Sequence, residues 1–262
     1  MSDIIYKYLA PSRADIFESK TIRFTQPILF NDLFESKPHL SYGLTLKEIK
    51  RAFIKMWTES GWPKDAIKNF ENNVSPEYLK GFSSLSHDRR EQIYADLGSG
   101  VGVLSLTERP ESLLMWAHYA QSHEGFVIGF DPRHSFFSNK KKQGQVGRLQ
   151  KVVYSINRPN RSLKSVTVFD VYLTKSKEWA YEQELRLLRY LDKPDKTIET
   201  ELLPICLYHL PPSCIRKVIL GCRIMHSVRD NISMILKEDA DYKHVKLSEA
   251  SVSADKYIIF TE

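Results

Sequence analysis

Between Gly102 and Asp131 the sequence GVLSLTERPESLLMWAHYAQSHEGFVIGFD reads as strand, helix, strand. Positions 101–106 and 126–130 are the strands and 112–120 the helix between them. Elsewhere, helix and strand patterns are mixed without regular alternation, and that constrains the fold most. A doubly wound α/β sheet needs strands and helices in turn, so an α+β architecture fits better.

The rest of the chain fills in that outline. Ile4, Tyr6 and Tyr8 suggest a first strand, Ile16 and Phe17 a short helix, and 21–25 a second strand ended by Pro27. In PILFNDLFES, Asn31-Asp32 signals a turn between aromatics. Residues 45–97 read as a helical insertion. It opens on Thr45 with Glu48 three residues on, the capping-box spacing, and continues with an apolar stripe of Leu46, Ile49, Phe53 and Met56-Trp57. Pro63 and Ser75-Pro76 restart two further helices. Further strands are expected at 152–154, 166–172, 185–188 and 218–220, then a helix at 227–236 and strands at 245–247 and 257–260. The expectation is one α+β domain over 1–262.

At 262 residues the chain is long enough to bury a real core without a metal or disulfides. With 42 % hydrophobic and 27 % charged residues, it is neither collagen-like, nor disordered, nor a disulfide scaffold. No apolar stretch has the length of a membrane span, and MSDIIYKYLAPSR lacks the pattern of a signal peptide. Cys206, Cys214 and Cys222 are three in number, and they read as reduced, buried thiols of a cytoplasmic protein.

The formal charge of +6 is local. From Pro132 to Phe169 stand Arg133, Lys140, Lys141, Lys142, Arg148, Lys151, Arg158, Arg161 and Lys164, with no Asp or Glu; the remainder sums to about −3. Such a run faces an anionic partner or is a solvated loop.

Several motifs fail on spacing. Gly98-Ser99-Gly100-Val101-Gly102 would need a helix after it to hold a pyrophosphate, and a strand follows, so the glycines read as a turn. The cysteines are spaced eight apart, too far for paired zinc ligands. His118 and His123 do not share a helix face. No metal site is expected.

Three clusters remain. In Tyr6-Lys7-Tyr8 the tyrosines share one face of a strand and Lys7 takes the other; an edge strand with an exposed lysine is the plain alternative. In the strand–helix–strand unit, Ser105 and Thr107 share a strand face, and Trp116 and Tyr119 are helix neighbours beside His118 and Ser122. These aromatics are either core or a platform for a ring. In KEWAYEQELRLLRY, read as a strand, Glu182, Glu184 and Arg186 share one face and Leu185 and Leu187 meet the core. Paired carboxylates beside Trp179 and Tyr181 can hold a substrate hydroxyl and stabilise positive charge at a sugar carbon, or form a solvated ion-paired face.

Tyr6-Lys7-Tyr8, Phe30-Asn31-Asp32, Met115-Trp116-x-His118-Tyr119-Ala120 and Trp179-x-Tyr181-Glu182-x-Glu184-x-Arg186 together resemble, over nearly the whole chain, the bacterial and phage domain-of-unknown-function family numbered 2971. A more distant likeness is to the ADP-ribosyltransferase fold. The order of Lys7, Ser105-x-Thr107, Tyr119 and Glu182-x-Glu184 resembles the cleft of those enzymes, although Lys7 stands where they carry Arg or His.

The likeness implies two small packed sheets around a cleft for NAD, which is substrate rather than resident cofactor. It implies catalytic Glu184 and Glu182, with Lys7, Tyr8, Ser105, Thr107, Trp116 and Tyr119 holding the dinucleotide. Glu184 would bind a ribose hydroxyl and stabilise the oxocarbenium-like state, Glu182 would serve the acceptor and Tyr119 would stack on nicotinamide. The product would be ADP-ribose on a macromolecular acceptor, with toxin action or phage defence as the expected role. A nucleic-acid acceptor would meet Lys140, Lys141, Lys142 and Arg148. The alternative is a non-enzymatic nucleic-acid or nucleotide-binding module that uses the basic run 133–164.

Overall fold

The computed structural model describes residues 2–138 and 147–261. The chain begins with β1 (Ile5–Leu9), α1 (Asp15–Ser19), β2 (Thr21–Arg23) and β3 (His39–Ser41). Four helices follow: α2 (Leu46–Glu59), α3 (Lys64–Asn73), α4 (Pro76–Gly81) and α5 (His87–Ser99). Thr45 and Glu48 complete both halves of the capping box on α2. Thr45 Oγ1 accepts from Glu48 N–H at 3.2 Å, and Glu48 Oε2 accepts from Thr45 N–H at 2.7 Å. Then come β4 (Val101–Thr107), α6 (Leu113–Tyr119), β5 (Phe126–Phe130), β6 (Leu149–Lys151), β7 (Val153–Ser155), β8 (Asn160–Ser162), α7 (Val168–Tyr172), β9 (Thr174–Ser176) and β10 (Glu184–Tyr190). The chain ends with β11 (Lys196–Ile198), β12 (Ile205–His209), β13 (Ile215–Leu220), α8 (His226–Glu238), β14 (Lys246–Glu249), β15 (Ser251–Val252) and β16 (Ile259–Phe260).

The fold is mixed α+β, but its centre is a single seven-stranded sheet, not two small ones. Its order is β14-β13-β5-β1-β4-β10-β6, antiparallel except for β13 with β14. A three-stranded sheet, β11-β12-β2, stands beside it. The two meet at β4. Thr25, just beyond β2, exchanges backbone hydrogen bonds with Val103 at 2.9 and 3.0 Å. On the same edge of β4, β1 pairs only at Tyr6↔Thr107. Between these two points this edge of β4 has no strand beside it among the described residues, and the sheet opens there.

Alternation sorts the side chains. Leu104, Leu106, Leu185 and Leu187 point into the main core with Ile5, Leu9, Phe126 and Phe130, under α1 and α8. The opposite face carries two separate apolar patches. Tyr8, Val127 and Ile219 pack against Met115 and Trp116 of α6, while Val101, Val103 and Leu188 pack against Val171 and Tyr172 of α7. Between the patches the same alternation places Ser105, Thr107, Glu184 and Arg186.

Some expectations fail for physical reasons. Residues 166–172 look β-branched and extended, yet 168–172 form α7. Thr167 Oγ1 accepts from Asp170 N–H and Asp170 Oδ2 accepts from Thr167 N–H, a capping box that overrides strand propensity. Gly98 is helical rather than in a turn, since α5 runs through Ser99. Gly102 lies within β4, where a Cβ would come to 2.7 Å from Phe24 Cβ. Cys206 and Cys214 are buried and free, but Cys222 is exposed. Among the described residues, no helix is long and apolar enough to cross a membrane.

Candidate functional site

The opening beside β4 is the mouth of a cavity of about 380 Å³. Six of the residues expected to catalyse or to hold the dinucleotide line it: Lys7, Tyr8, Ser105, Tyr119, Glu182 and Glu184. Phe30, Asn31, Glu35, His118, Lys175 and Arg186 line it as well. Lys7 leaves β1 on the side away from Tyr6 and Tyr8, yet it turns into the gap. Its Nζ donates to Ser105 O at 3.3 Å, a carbonyl on the unpaired stretch of β4.

Tyr119 is delivered by α6. Ser112 caps that helix, and Trp116 anchors it with no exposed surface. Trp116 meets Tyr8 edge-on at 5.3 Å and donates from Nε1 to Pro110 O at 2.8 Å. Burying such a ring contributes on the order of 3 kcal/mol. After α6, Gln121, Ser122 and His123 all adopt positive φ and turn the chain into β5. The turn requires Gly125, where a Cβ would lie 2.0 Å from Leu9 O.

Glu182 is not on the strand. Residues Lys177–Glu182 form a 3-10 helix and Gln183 is left-handed, so β10 begins only at Glu184. The turn still brings the two carboxylates to one cation. Lys175 Nζ, on β9, is 2.6 Å from Glu182 Oε2, 3.4 Å from Glu184 Oε2 and 3.5 Å from Glu35 Oε2. Tyr119 Oη donates to Glu182 Oε1 at 2.5 Å. Arg186 grips Glu184 with a fork, Nε to Oε1 and Nη2 to Oε2, both at 2.8 Å. It also donates to Tyr172 O at 2.6 Å and pairs with Glu35. Tyr154 Oη accepts from the Glu184 N–H at 2.8 Å.

Glu35, Glu182, Glu184, Lys175 and Arg186 are each at most 6 % exposed. Three carboxylates thus face two buried cations, and Lys7 brings the balance to neutral. Burial raises the Glu184 carboxyl above the usual carboxylate range; Lys175 and Ser105 oppose that and Glu182 adds to it. The Arg186 guanidinium, forked onto the same carboxylate at 2.8 Å, stands closer to Glu184 than Lys175 does. Burial opposes charge on Lys175, but Glu184 and Glu182 outweigh it and raise its pKa. Burial pushes the Lys7 ammonium down to about 8, with Glu184 pulling the other way. Tyr119 is raised by burial first and by Glu182 next.

Other candidates do not reach the cavity. Thr107 is fully buried, and its Oγ1 donates to Glu182 O at 2.5 Å, so it holds the backbone of the turn. Trp116 is core. Lys140, Lys141 and Lys142 lie outside the described residues. Arg148 is exposed, in an isolated bridge with Ser138, away from the cavity lining. Several other basic residues of 133–164 are answered by acids outside that run: Arg161 by Asp170, Lys151 by Glu108 and Lys164 by Glu48. Arg158 donates to Lys37 O at 2.9 Å and lies over Phe34. No group of His, Cys, Asp or Glu suited to a metal is found among the described residues.

Sequence reasoning missed Glu35 and Lys175. Glu35 sits in a segment that reads as a turn, and its partner Arg186 is 151 positions away. Lys175 lies two positions before the recognisable KEWAYEQE and looks like any solvated lysine.

No curated protein and no solved structure matches the chain. A family model does, over residues 115–187, a narrower span than the whole-chain resemblance. That span runs from α6 to the middle of β10, and so includes Tyr119, Lys175, Glu182, Glu184 and Arg186. The matched residues are similar to the family described as "Protein of unknown function (DUF2971)".

Proposed function

We propose that the cavity takes the nicotinamide–ribose end of NAD and that the protein is an ADP-ribosyltransferase-like enzyme. The observation that carries this reading is the meeting of a buried, ion-held glutamate, Glu184, and an aromatic ring, Tyr119, across one cavity at the opening of the sheet. Its volume suits half a dinucleotide better than a whole one. Tyr119 offers a face to the nicotinamide ring. Lys7 and Ser105 stand at the gap, where ribose and phosphate oxygens would lie.

Glu184 is the carboxylate for the ribose. Arg186 fixes its plane, and the 3.4 Å contact to Lys175 is the longest it makes to a cation, the one a ribose hydroxyl would displace. When the C–N bond to nicotinamide breaks, its electron pair leaves with the ring and positive charge develops on the ribose. A preoriented anion in a water-poor site stabilises that charge without reorganising. Glu182, held by Tyr119 and Lys175, positions the ring and the cation. The acceptor is a macromolecule that approaches from the mouth.

The test is nicotinamide release from NAD, with and without RNA, DNA or cell lysate as acceptor, by wild type and Glu184→Gln. Gln keeps the shape and loses the charge, so release should fall roughly 100- to 1,000-fold with an unchanged thermal melt. A wild type inert towards NAD under all these conditions removes the reading. Equal rates in the two proteins remove Glu184 from it.

A further inference from the structure

We infer that His118, Trp179 and Tyr181 form a stacking subsite for a nucleobase beside the cavity; the assignment of a dinucleotide to the cavity itself rests on the reading above. Trp179 is the starting point. It is only partly buried, and it belongs to none of the packed apolar clusters among the described residues. Part of its ring stays in water, where a second ring can stack on it. Its ring is nevertheless fixed. Lys175 Nζ lies 4.8 Å from its centroid, and Tyr181 stands at 6.0 Å with a 39° tilt.

His118, exposed on α6, completes the group at 6.5 Å from Trp179 and 6.5 Å from Tyr181. His118 and Tyr181 are tilted by 35°, a wedge rather than a packed pair. A flat ring in face contact with both needs roughly 7 Å, twice an optimal carbon–carbon contact.

The wedge is joined to the cavity through the backbone. His118 is followed by Tyr119 and Tyr181 by Glu182. The inner members of these two pairs share the 2.5 Å hydrogen bond inside the cavity, while the rings of the outer members stand 6.5 Å apart, centre to centre. A ligand with one planar ring inside and a second outside would follow that path. The surface has ring faces and no carboxylate among its three members, which suits a nucleobase rather than a sugar or a phosphate. The base comes either from the dinucleotide's own adenine or from the acceptor.

Calorimetric binding of AMP, ribose 5-phosphate, nicotinamide mononucleotide and NAD to wild type, Trp179→Ala and Trp179→Phe decides the matter. Wild type should bind AMP more tightly than ribose 5-phosphate. Trp179→Ala should weaken AMP roughly 5- to 150-fold, the range for one lost base–aromatic stack, and Trp179→Phe should restore most of it. If Trp179→Ala weakens NAD by the same factor and spares nicotinamide mononucleotide, the base is the dinucleotide's adenine. If it weakens AMP and spares NAD, the base is the acceptor's. Equal affinity for AMP and ribose 5-phosphate overturns the subsite, as does an unchanged AMP affinity in Trp179→Ala. Binding is read without turnover, so a protein that holds AMP through Trp179 yet leaves NAD intact refutes the enzyme and keeps the subsite.

Discussion

Replacing Arg186 with methionine removes the cation that two buried carboxylates share. Arg186 is 1 % exposed, forks Glu184 through two 2.8 Å bonds, pairs with Glu35 and satisfies Tyr172 O. Met fills much of the same volume, so packing changes little and the loss is electrostatic. Glu35, Glu182 and Glu184 would then face only Lys175 and Lys7 among the cations lining the cavity. Breaking a buried pair by removing one partner costs about 3–5 kcal/mol. At roughly 2–4 °C per kcal/mol for a domain of this size, the melt should fall by roughly 6–20 °C. Thermal unfolding followed by far-ultraviolet circular dichroism measures it. Adding Glu35→Gln should give back part of the loss, because one uncompensated charge disappears; residues sharing a network couple by roughly 0.5–3 kcal/mol. An Arg186→Met protein within about 1 kcal/mol of wild type would mean that this network is solvated. A double variant that loses the sum of the two single changes would mean that Glu35 and Arg186 do not interact.

Lys7 should make stability depend on alkaline pH. Its folded pKa of about 8 lies below the ordinary 10.5, so the cost of burying its charge is present below pH 8 and is relieved as pH rises to 10.5. The stability of wild type relative to Lys7→Met should therefore rise over that window, by up to about 3 kcal/mol at ~1.4 kcal/mol per unit; urea midpoints at pH 7.5 and 10.5 that change in parallel would contradict it. Gly125→Ala places a Cβ 2.0 Å from Leu9 O, a backbone atom that cannot swing away, and should cost about 3 kcal/mol or more. A wild-type urea midpoint for Gly125→Ala would show that β1 and the turn after α6 are not in this contact.

The parts of the site legible in sequence are those set by periodicity within one element. Strand alternation in LSLT and ELRLL separates leucines from polar residues, and the structure places Leu104, Leu106, Leu185 and Leu187 in the core with Ser105, Glu184 and Arg186 opposite. Helix spacing puts Tyr119 three residues from Trp116, but spacing does not say which ring is core and which faces the cavity. That depends on Tyr8 and Val127 packing against Trp116, contacts between elements.

Glu35 and Lys175 were illegible for a related reason. A charge is buried only when partners arrive from elsewhere, and here they come from β9, β10 and the segment after Phe30. The division of the sheet was not visible either. It depends on a single bridge, Thr25↔Val103, and on β1 touching β4 at one register position. A local signal did exist at 166–172, where the Thr-x-x-Asp capping box outweighs strand-like residues.

The most direct test of the account is a crystal structure of Glu184→Gln, the variant expected to bind without turning over, grown with NAD. The account predicts the nicotinamide ring in the cavity against Tyr119, with a ribose hydroxyl within hydrogen-bond reach of residue 184 and Arg186 still holding that side chain. NAD bound away from the opening between β1 and β4, or a cavity that stays empty at saturating NAD, would contradict it.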